Sequence, residues 1–347
     1  MAKKADPAKV APSPSWTLEK GISFSLLSKF INCRERFRLY AVEGMREEKS
    51  SKHAMNWGTY FHNLIELHAA HPNLSAGGII RRAKKVPLPQ EERNQAHTVF
   101  HAYMEHYAEC NYKYCAQEQE FRVPYILGNG KKVNLVGKTD EIISFLPHPQ
   151  FRQGSLWIQE NKTKEKINEY KIESGLINDL QTMMYAVCVE ALFKKPVEGV
   201  VYNVIRKPSL RPKTLKYTDR LGKKVSRKES TVEFNQRLTE DIELNPEHYF
   251  KRWVIPFPSG HKEQWRQRTF DPILNDLCNW WESVKHDPFS PWVLKNGEPN
   301  FHHWIKPFGV YDSMTTGTGD FFDYLTRGLS VSVSVGNEPF PELETIN

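Results

Sequence analysis

The sequence predicts an α/β or α+β fold with a central mixed sheet flanked by helices. Three observations predict it. Apolar residues recur at helical spacing over 22–43, 55–70 and 91–117. Strand-like patterns follow over 131–145 and 155–163. A further helical stretch at 174–193 is then followed by an alternating strand at 198–207.

The opening residues 1–17 are basic and Pro-containing, without the apolar core of a signal peptide, and read as a disordered lead-in. The helix over 22–43 has Ser23 or Ser25 near its cap and Leu26, Leu27, Phe30, Phe37 and Tyr40 as its stripe. "MNWGTYFHNLIELHAA" (55–70) makes a second helix and the aromatic-rich 91–117 a third. "KKVNLVGKTDEIISF" and "SLWIQENKT" are strands joined by the polar turn "LPHPQFRQG". The helix over 174–193 is carried by Ile177, Leu180, Met184, Val187 and Ala191. No internal repeat is visible.

Two stretches look like additions to a body spanning 18–310. Residues 206–229 hold ten Lys/Arg against two acids, net +8, and read as a loop-like basic insert. It is either a solvated loop or a phosphate-backbone contact, with Lys223, Lys224, Arg227 and Lys228 as its densest charge. Residues 311–347 hold six acids and one base, an acidic tail suited to an interaction or to solubility, within which "LSVSVSV" (329–335) alternates like an edge strand or a partner-binding ribbon.

Composition bounds the rest. The chain has 347 residues, enough for one large domain or two modest ones, and 39% hydrophobic residues with nine tryptophans can build a core. A net charge of +7 is a mild bias toward polyanions. No apolar run approaches the roughly 18 residues of a membrane span. Five scattered cysteines suit reduced thiols in a cytoplasm, and no phosphate-binding G-x-x-x-x-G-K-[ST] loop is present to power translocation.

The chemistry concentrates in "QENKTK" (159–164). Side chains alternate along a strand, so Glu160 and Lys162 share a face and Asn161 points away. Asp140 lies on the preceding strand, where a hairpin would bring it beside Glu160. Two carboxylates brought together suit a hard divalent cation with oxygen ligands. Taken singly, each piece has a plainer reading: a solvated strand end, or a turn aspartate after Gly137.

Taken together, "SFSLLSKFINCRERF", "GTYFH", "GKTDEI", "IQENKT" and "QTMMY" occur in the order found in the RecB-like branch of the PD-(D/E)XK nucleases. The chain resembles that branch over roughly residues 22–207, and "VVYNVIRKP" is similar to its phage-type exonucleases. The resemblance implies a restriction-endonuclease-like core and a Mg²⁺- or Mn²⁺-dependent deoxyribonuclease, an exonuclease working from DNA ends. The alternative it leaves is a catalytically inactive DNA-binding protein, or a nuclease subunit of a CRISPR-adaptation or repair complex. It implies Asp140, Glu160 and Lys162 as catalytic residues, with His62, Asp140, Glu160 and the Asn161 carbonyl as metal ligands. Glu66 would be an extra ligand or an acid supporting the ligands. Gln181 and Tyr185 would hold the substrate strand, although Tyr185 also suits simple core packing, as His62 suits a half-buried histidine. DNA, as duplex ends or single strands, is the implied partner, with a single-strand-annealing or other recombination protein beside it. Many such nucleases bind an iron–sulfur cluster through one cysteine in the first helix and three near the C-terminus. Cys33 matches the first, but no cysteine follows Cys278, so no cluster is expected. His302 and His303 stand where the others would fall.

Overall fold

A computed structural model of the chain describes residues 14–47, 53–109, 111–147, 151–218, 222–286 and 329–331. The helices are α1 (Phe24–Asn32), α2 (Arg34–Phe37), α3 (His53–Ala70), α4 (Ala76–Arg82), α5 (Gln90–His106), α6 (Glu169–Leu176), α7 (Leu180–Phe193), α8 (Thr231–Leu244), α9 (Pro246–Tyr249), α10 (His261–Trp265) and α11 (Asp271–Val284). The strands are β1 (Met45–Glu47), β2 (Tyr112–Ile126), β3 (Lys132–Phe145), β4 (Leu156–Lys164), β5 (Val197–Arg206), β6 (Thr214–Thr218), β7 (Lys224–Lys228), β8 (Phe250–Pro256) and β9 (Leu329–Val331). The chain divides into two units, one of residues 1–50, 122–136 and 266–347, the other of 51–121 and 137–265.

The central sheet has the order β2-β3-β4-β5-β8. β3 and β4 are antiparallel, β4 and β5 parallel, and β5 and β8 antiparallel. A parallel pair needs a crossover, and α6 and α7 supply it between β4 and β5. This is a mixed sheet flanked by helices, as a restriction-endonuclease-like core requires. Both β4 and β5 are buried along most of their length, which is why their apolar runs barely alternate.

In the second unit, Trp57, Phe61 and Leu64 of α3, Val99, Phe100 and Tyr103 of α5, and Phe234, Leu238 and Ile242 of α8 bury against Ile205 and Phe250. Tyr112, Ile143, Trp157 and Val201 form a second cluster, and Leu176, Tyr202 and Val204 a third. In the first unit, Trp16, Phe30, Phe37, Trp280 and Trp281 pack edge to face, with centroid separations of 4.9 to 5.6 Å for Trp16–Phe37, Trp16–Trp281, Phe30–Phe37, Phe30–Trp280 and Phe37–Trp280.

Several sequence expectations change in detail. The helix expected over 22–43 is capped by Ser23 as read, but breaks at Cys33, whose extended backbone (φ −163°) ends α1 and whose Sγ accepts from the Arg36 amide to start α2. A π-helical turn over Arg38–Val42 follows. The helix expected over 91–117 stops at His106. Tyr112 opens a strand instead, because its ring, with Tyr114, packs against the sheet cluster of Ile143 and Trp157. The helix expected over 174–193 is two helices: Asp179 accepts from the Thr182 amide at 2.9 Å and hydroxyl at 2.8 Å, caps α7, and leaves Ile177 in the break. The strand β8 carries no legible signal in the sequence.

The basic segment is not a loose loop. β6 and β7 form a hairpin, with Thr214 opposite Lys228 and Thr218 opposite Lys224. Its base is closed by Glu229, whose amide donates to the Lys213 carbonyl (2.8 Å) and whose carboxylate accepts from the Lys213 amide (2.9 Å) and from Arg237. In "LSVSVSV", Leu329–Val331 pairs with β1 as a strand; the rest of the acidic tail, His302, His303 and Cys110 lie outside the described residues.

At Gly199 β5 runs close against Trp157 and β8. A methyl group there would meet the Trp157 ring and the Ile255 carbonyl. Gly199→Ala should destabilise the fold by about 1–3 kcal/mol, the usual cost of overpacking. It should lower the urea midpoint with the denaturant slope unchanged, whereas a wild-type midpoint would show that β5 can shift.

Candidate active site

The site forms where β3 and β4 part. Their ladder pairs Ile143 with Trp157, Ile142 with Ile158 and Glu141 with Gln159. One residue further, the Asp140 carboxylate accepts the Asn161 amide at 2.8 Å, doing with a side chain what a main-chain carbonyl does in a regular ladder. Asp140 and Glu160 therefore stand on the same sheet face, with Lys162 two residues beyond Glu160.

Glu160 is 2% exposed. Its Oε1 accepts from Gln181 at 2.9 Å and from the Lys162 ammonium, and Lys162 also donates to Gln181 Oε1 at 3.3 Å. Its Oε2 is buried without a partner. Burial, and then the Asp140 charge, push the Glu160 carboxyl up to about 7, with Lys162 opposing. Burial works against the Lys162 ammonium, but Glu160 and Asp140 outweigh it and hold its affinity for the proton above the ordinary lysine value. Lys162 is thus a cation and a donor at neutral pH, not a base.

His62 reaches Asp140 from α3, with Nδ1 3.9 Å from Oδ2. Burial lowers its pKa, with Lys162 adding to that and Asp140 opposing, so the imidazole stays neutral near pH 7 with a lone pair to offer. The approach depends on Gly58, one turn earlier, where a Cβ would stand 2.7 Å from Thr163 Oγ1 of β4.

Gln181 is drawn into the site by the α7 cap at Asp179. Tyr185, one turn on, packs edge to face on Phe121 at 5.4 Å, and burial with the nearby Glu160 charge raises its hydroxyl to about 12. Gly137 leaves room for Phe121, which a Cβ there would meet at 2.7 Å. Glu66 does not join the carboxylate pair. It lies with His62 in a cleft of about 620 Å³, also lined by Lys84, Glu118, Lys138 and Thr163, and accepts from Asn63 at 3.1 Å with Lys84 at 3.7 Å.

The Asn161 side chain, as alternation requires, points to the other face and is fully engaged there: it donates to Glu141 at 2.8 Å and accepts from Asn203 at 2.8 Å. Only its main chain faces Asp140. Glu141, which also accepts from Gln159, sits in this buried network, and burial pushes its carboxyl up to about 8. Asn203 in turn donates to Tyr103 at 2.9 Å. Sequence reading missed Glu141, Asn203 and Tyr202. Period-two alternation from Asp140 carried the signal for Glu141, whereas Asn203 is placed opposite Asn161 by the β4–β5 register. Tyr202 is opposite Glu160 in the parallel register, and burial raises its hydroxyl to about 12, with Lys162 opposing and Glu160 adding.

Of the four basic residues expected to contact substrate, Lys224 and Lys228 are exposed on one face of the hairpin, and Lys223 precedes it. Arg227 differs: it lies on the other face and is clamped by Glu233, at 2.7 Å through Nη1 and 2.5 Å through Nη2.

Among the described residues, no three His, Cys, Asp or Glu side chains are gathered closely enough to hold an ion as they stand, Glu160 Oε1 being turned to Lys162 and Gln181. The site nonetheless suits one in its charge: two neighbouring carboxylates, one bearing a buried oxygen with no partner, beside a neutral imidazole. No helix in the described residues is long and apolar enough to cross a membrane. The family model of the PD-(D/E)XK nuclease superfamily matches residues 21–281, which contain every residue of the site. Among curated proteins no sequence matches the chain.

The contact at Gly58 gives a test with a change of sign. Alanine is the better helix former by about 1 kcal/mol, but its methyl would strike Thr163 Oγ1. Gly58→Ala should therefore lower the thermal stability of the wild-type chain. In a Thr163→Ala background, where the nearest remaining atom would be Cβ at 3.9 Å, it should be neutral or stabilising. Equal effects in both backgrounds would show that the helix does not rest on Thr163.

Proposed function

The chain belongs to the PD-(D/E)XK nuclease superfamily, and from that premise we propose that it is a Mg²⁺- or Mn²⁺-dependent DNA nuclease. We place it in the RecB-like branch, as an exonuclease acting from DNA ends in phage-type recombination, repair or replication. The observation that carries this reading is Glu160: a buried carboxylate with one unpartnered oxygen, facing the same way as Asp140, with Lys162 fixed against it. The complete acidic and lysine set is the reason an inactive DNA-binding role is set aside.

Asp140, Glu160, His62 and the Asn161 carbonyl are the groups that would hold the metal. When bound, such an ion neutralises phosphate charge and makes water a better nucleophile. The chain's own residues do the rest. Lys162, kept charged, donates toward a phosphate oxygen or the attacking water. Gln181 fixes both Lys162 and Glu160. The Asp140 carboxylate is oriented by the Asn161 amide. Tyr185 and Tyr202, neutral at any working pH, wall the site without adding charge.

Asp140→Ala, Glu160→Ala and Lys162→Ala should each slow cleavage of end-labelled linear DNA by at least about 100-fold, while DNA binding in chelator survives. Linear DNA should be consumed and covalently closed circles spared, and chelator should stop digestion. Near-normal cleavage by Glu160→Ala, or equal digestion of circles, would overturn the site or the end-dependence respectively.

The raised carboxyl of Glu160 gives a readout independent of turnover. Below about pH 7 a proton competes for that carboxylate, so Mn²⁺ affinity should be about tenfold lower at pH 6 than at pH 8, with most of the fall below pH 7. Manganese electron paramagnetic resonance titrations at pH 6 and 8 measure it. An affinity independent of pH would remove Glu160 from the ligand set.

A further inference from the structure

The β6–β7 hairpin has two chemically different faces. In its register Thr214 faces Lys228, Lys216 faces Ser226, and Thr218 faces Lys224. Opposite residues of an antiparallel pair share a face, so these six side chains form one surface. All six are exposed, and none has a hydrogen-bond or ion-pair partner among the described residues. Each cross-strand pair joins one lysine to one hydroxyl. No lysine stands opposite another, so the three charges zigzag along the ribbon without direct cross-strand repulsion. No acid shares the face to neutralise them.

The reverse face is built to be held. Leu215 and Val225 are half-buried there, and Arg227 is clamped by Glu233 of α8. Glu229 closes the base to Lys213 and is itself gripped by Arg237. Upstream, Lys207 pairs with Glu92 at 3.0 Å, and Gln95 donates to the Pro208 and Leu210 carbonyls at 3.4 Å. The arginine is thus the fastener, and the lysines remain for something outside the chain.

We propose that the Lys216/Lys224/Lys228 face is a sequence-independent contact for the phosphate backbone of nucleic acid, apart from the residues that cleave it. Ammonium groups supply charge, and hydroxyls donate to phosphate oxygens; neither reads bases. A ribbon anchored at its base and on one face holds the backbone under those groups at fixed spacing, so little backbone order must be created on binding. This rests on the nuclease reading for its ligand, and it adds a surface that the cleavage chemistry does not require.

The test is the salt dependence of binding, measured by fluorescence anisotropy with the full chain in chelator and labelled oligonucleotides, single-stranded and duplex. Combining Lys216→Gln, Lys224→Gln and Lys228→Gln should weaken binding to unrelated sequences alike. It should reduce the slope of log affinity against log salt by roughly 2 to 3, at about 0.7–0.9 for each phosphate that is no longer neutralised. Thermal unfolding should match wild type, since the three side chains are exposed and have no hydrogen-bond or ion-pair partner among the described residues. Wild-type binding and cleavage with an unchanged slope in the triple variant would overturn the ribbon proposal and leave the nuclease reading standing. A wild-type chain that neither binds nor cleaves DNA would overturn both. Loss confined to binding of phosphatidylserine vesicles, with DNA binding intact, would assign the face to a membrane and overturn the proposal.

Discussion

The hydrogen bond from the Asn161 amide to the Asp140 carboxylate is the contact on which the site turns. A regular β3–β4 ladder would have given that amide a carbonyl and left Asp140 free to rotate in solvent. Here the ladder ends at Glu141 and Gln159, and the next donor is answered by a side chain. The amide is satisfied and the carboxylate is fixed by one interaction. The ladder can end there without leaving an orphaned buried donor, and His62 of α3 stands with Nδ1 3.9 Å from the carboxylate so fixed.

Two polar layers, one on each face of β4, follow from that arrangement. On one face Glu160, Lys162 and Gln181 hold one another, with a carboxylate oxygen left over. On the other, Asn161, Glu141, Gln159, Asn203 and Tyr103 form a buried network. Alternation makes the second layer the support of the first, since Asn161 cannot rotate without breaking bonds on both sides. A buried network of this kind is costly when incomplete and rigid when satisfied. It fixes the main chain at Asn161, and through it Asp140. The Glu160 face, by contrast, holds a carboxyl whose charged form burial and a neighbouring acid both disfavour. Strongly perturbed carboxyls of this kind cluster at functional sites.

The legible parts of the sequence were those with local signals. The strands β3, β4 and β5 were readable from apolar runs, and the shared face of Glu160 and Lys162 from period two alone. The family followed from five short stretches in order. What was not legible had tertiary causes. Tyr112 and Tyr114 extend a helical-looking aromatic run, but cross-strand packing on Phe145 and Trp157 draws them into a strand. Ile177 continues a helical stripe, yet the Asp179 cap two residues later ends it, and an aspartate before a helical run is itself a sign of a new helix start. β8 reads as a mixture of charged and aromatic residues because it is an edge strand, with only partial burial to impose a pattern.

The basic segment shows a different limit. Charge density was visible, but charge alone does not say which cations are already spent. Arg227 looked like part of the same cluster as Lys224 and Lys228, and only the hairpin register separates them. A one-residue step along a strand changes the face, and with it the partner: Glu233 for Arg227, solvent for Lys228 beside it. The guanidinium is also the better fastener, since its planar fork takes both oxygens of a carboxylate, whereas an ammonium gives a single strongly hydrated point of charge. The division of labour between one arginine and three lysines therefore follows from side-chain chemistry and strand geometry together, and neither could have been read from net charge.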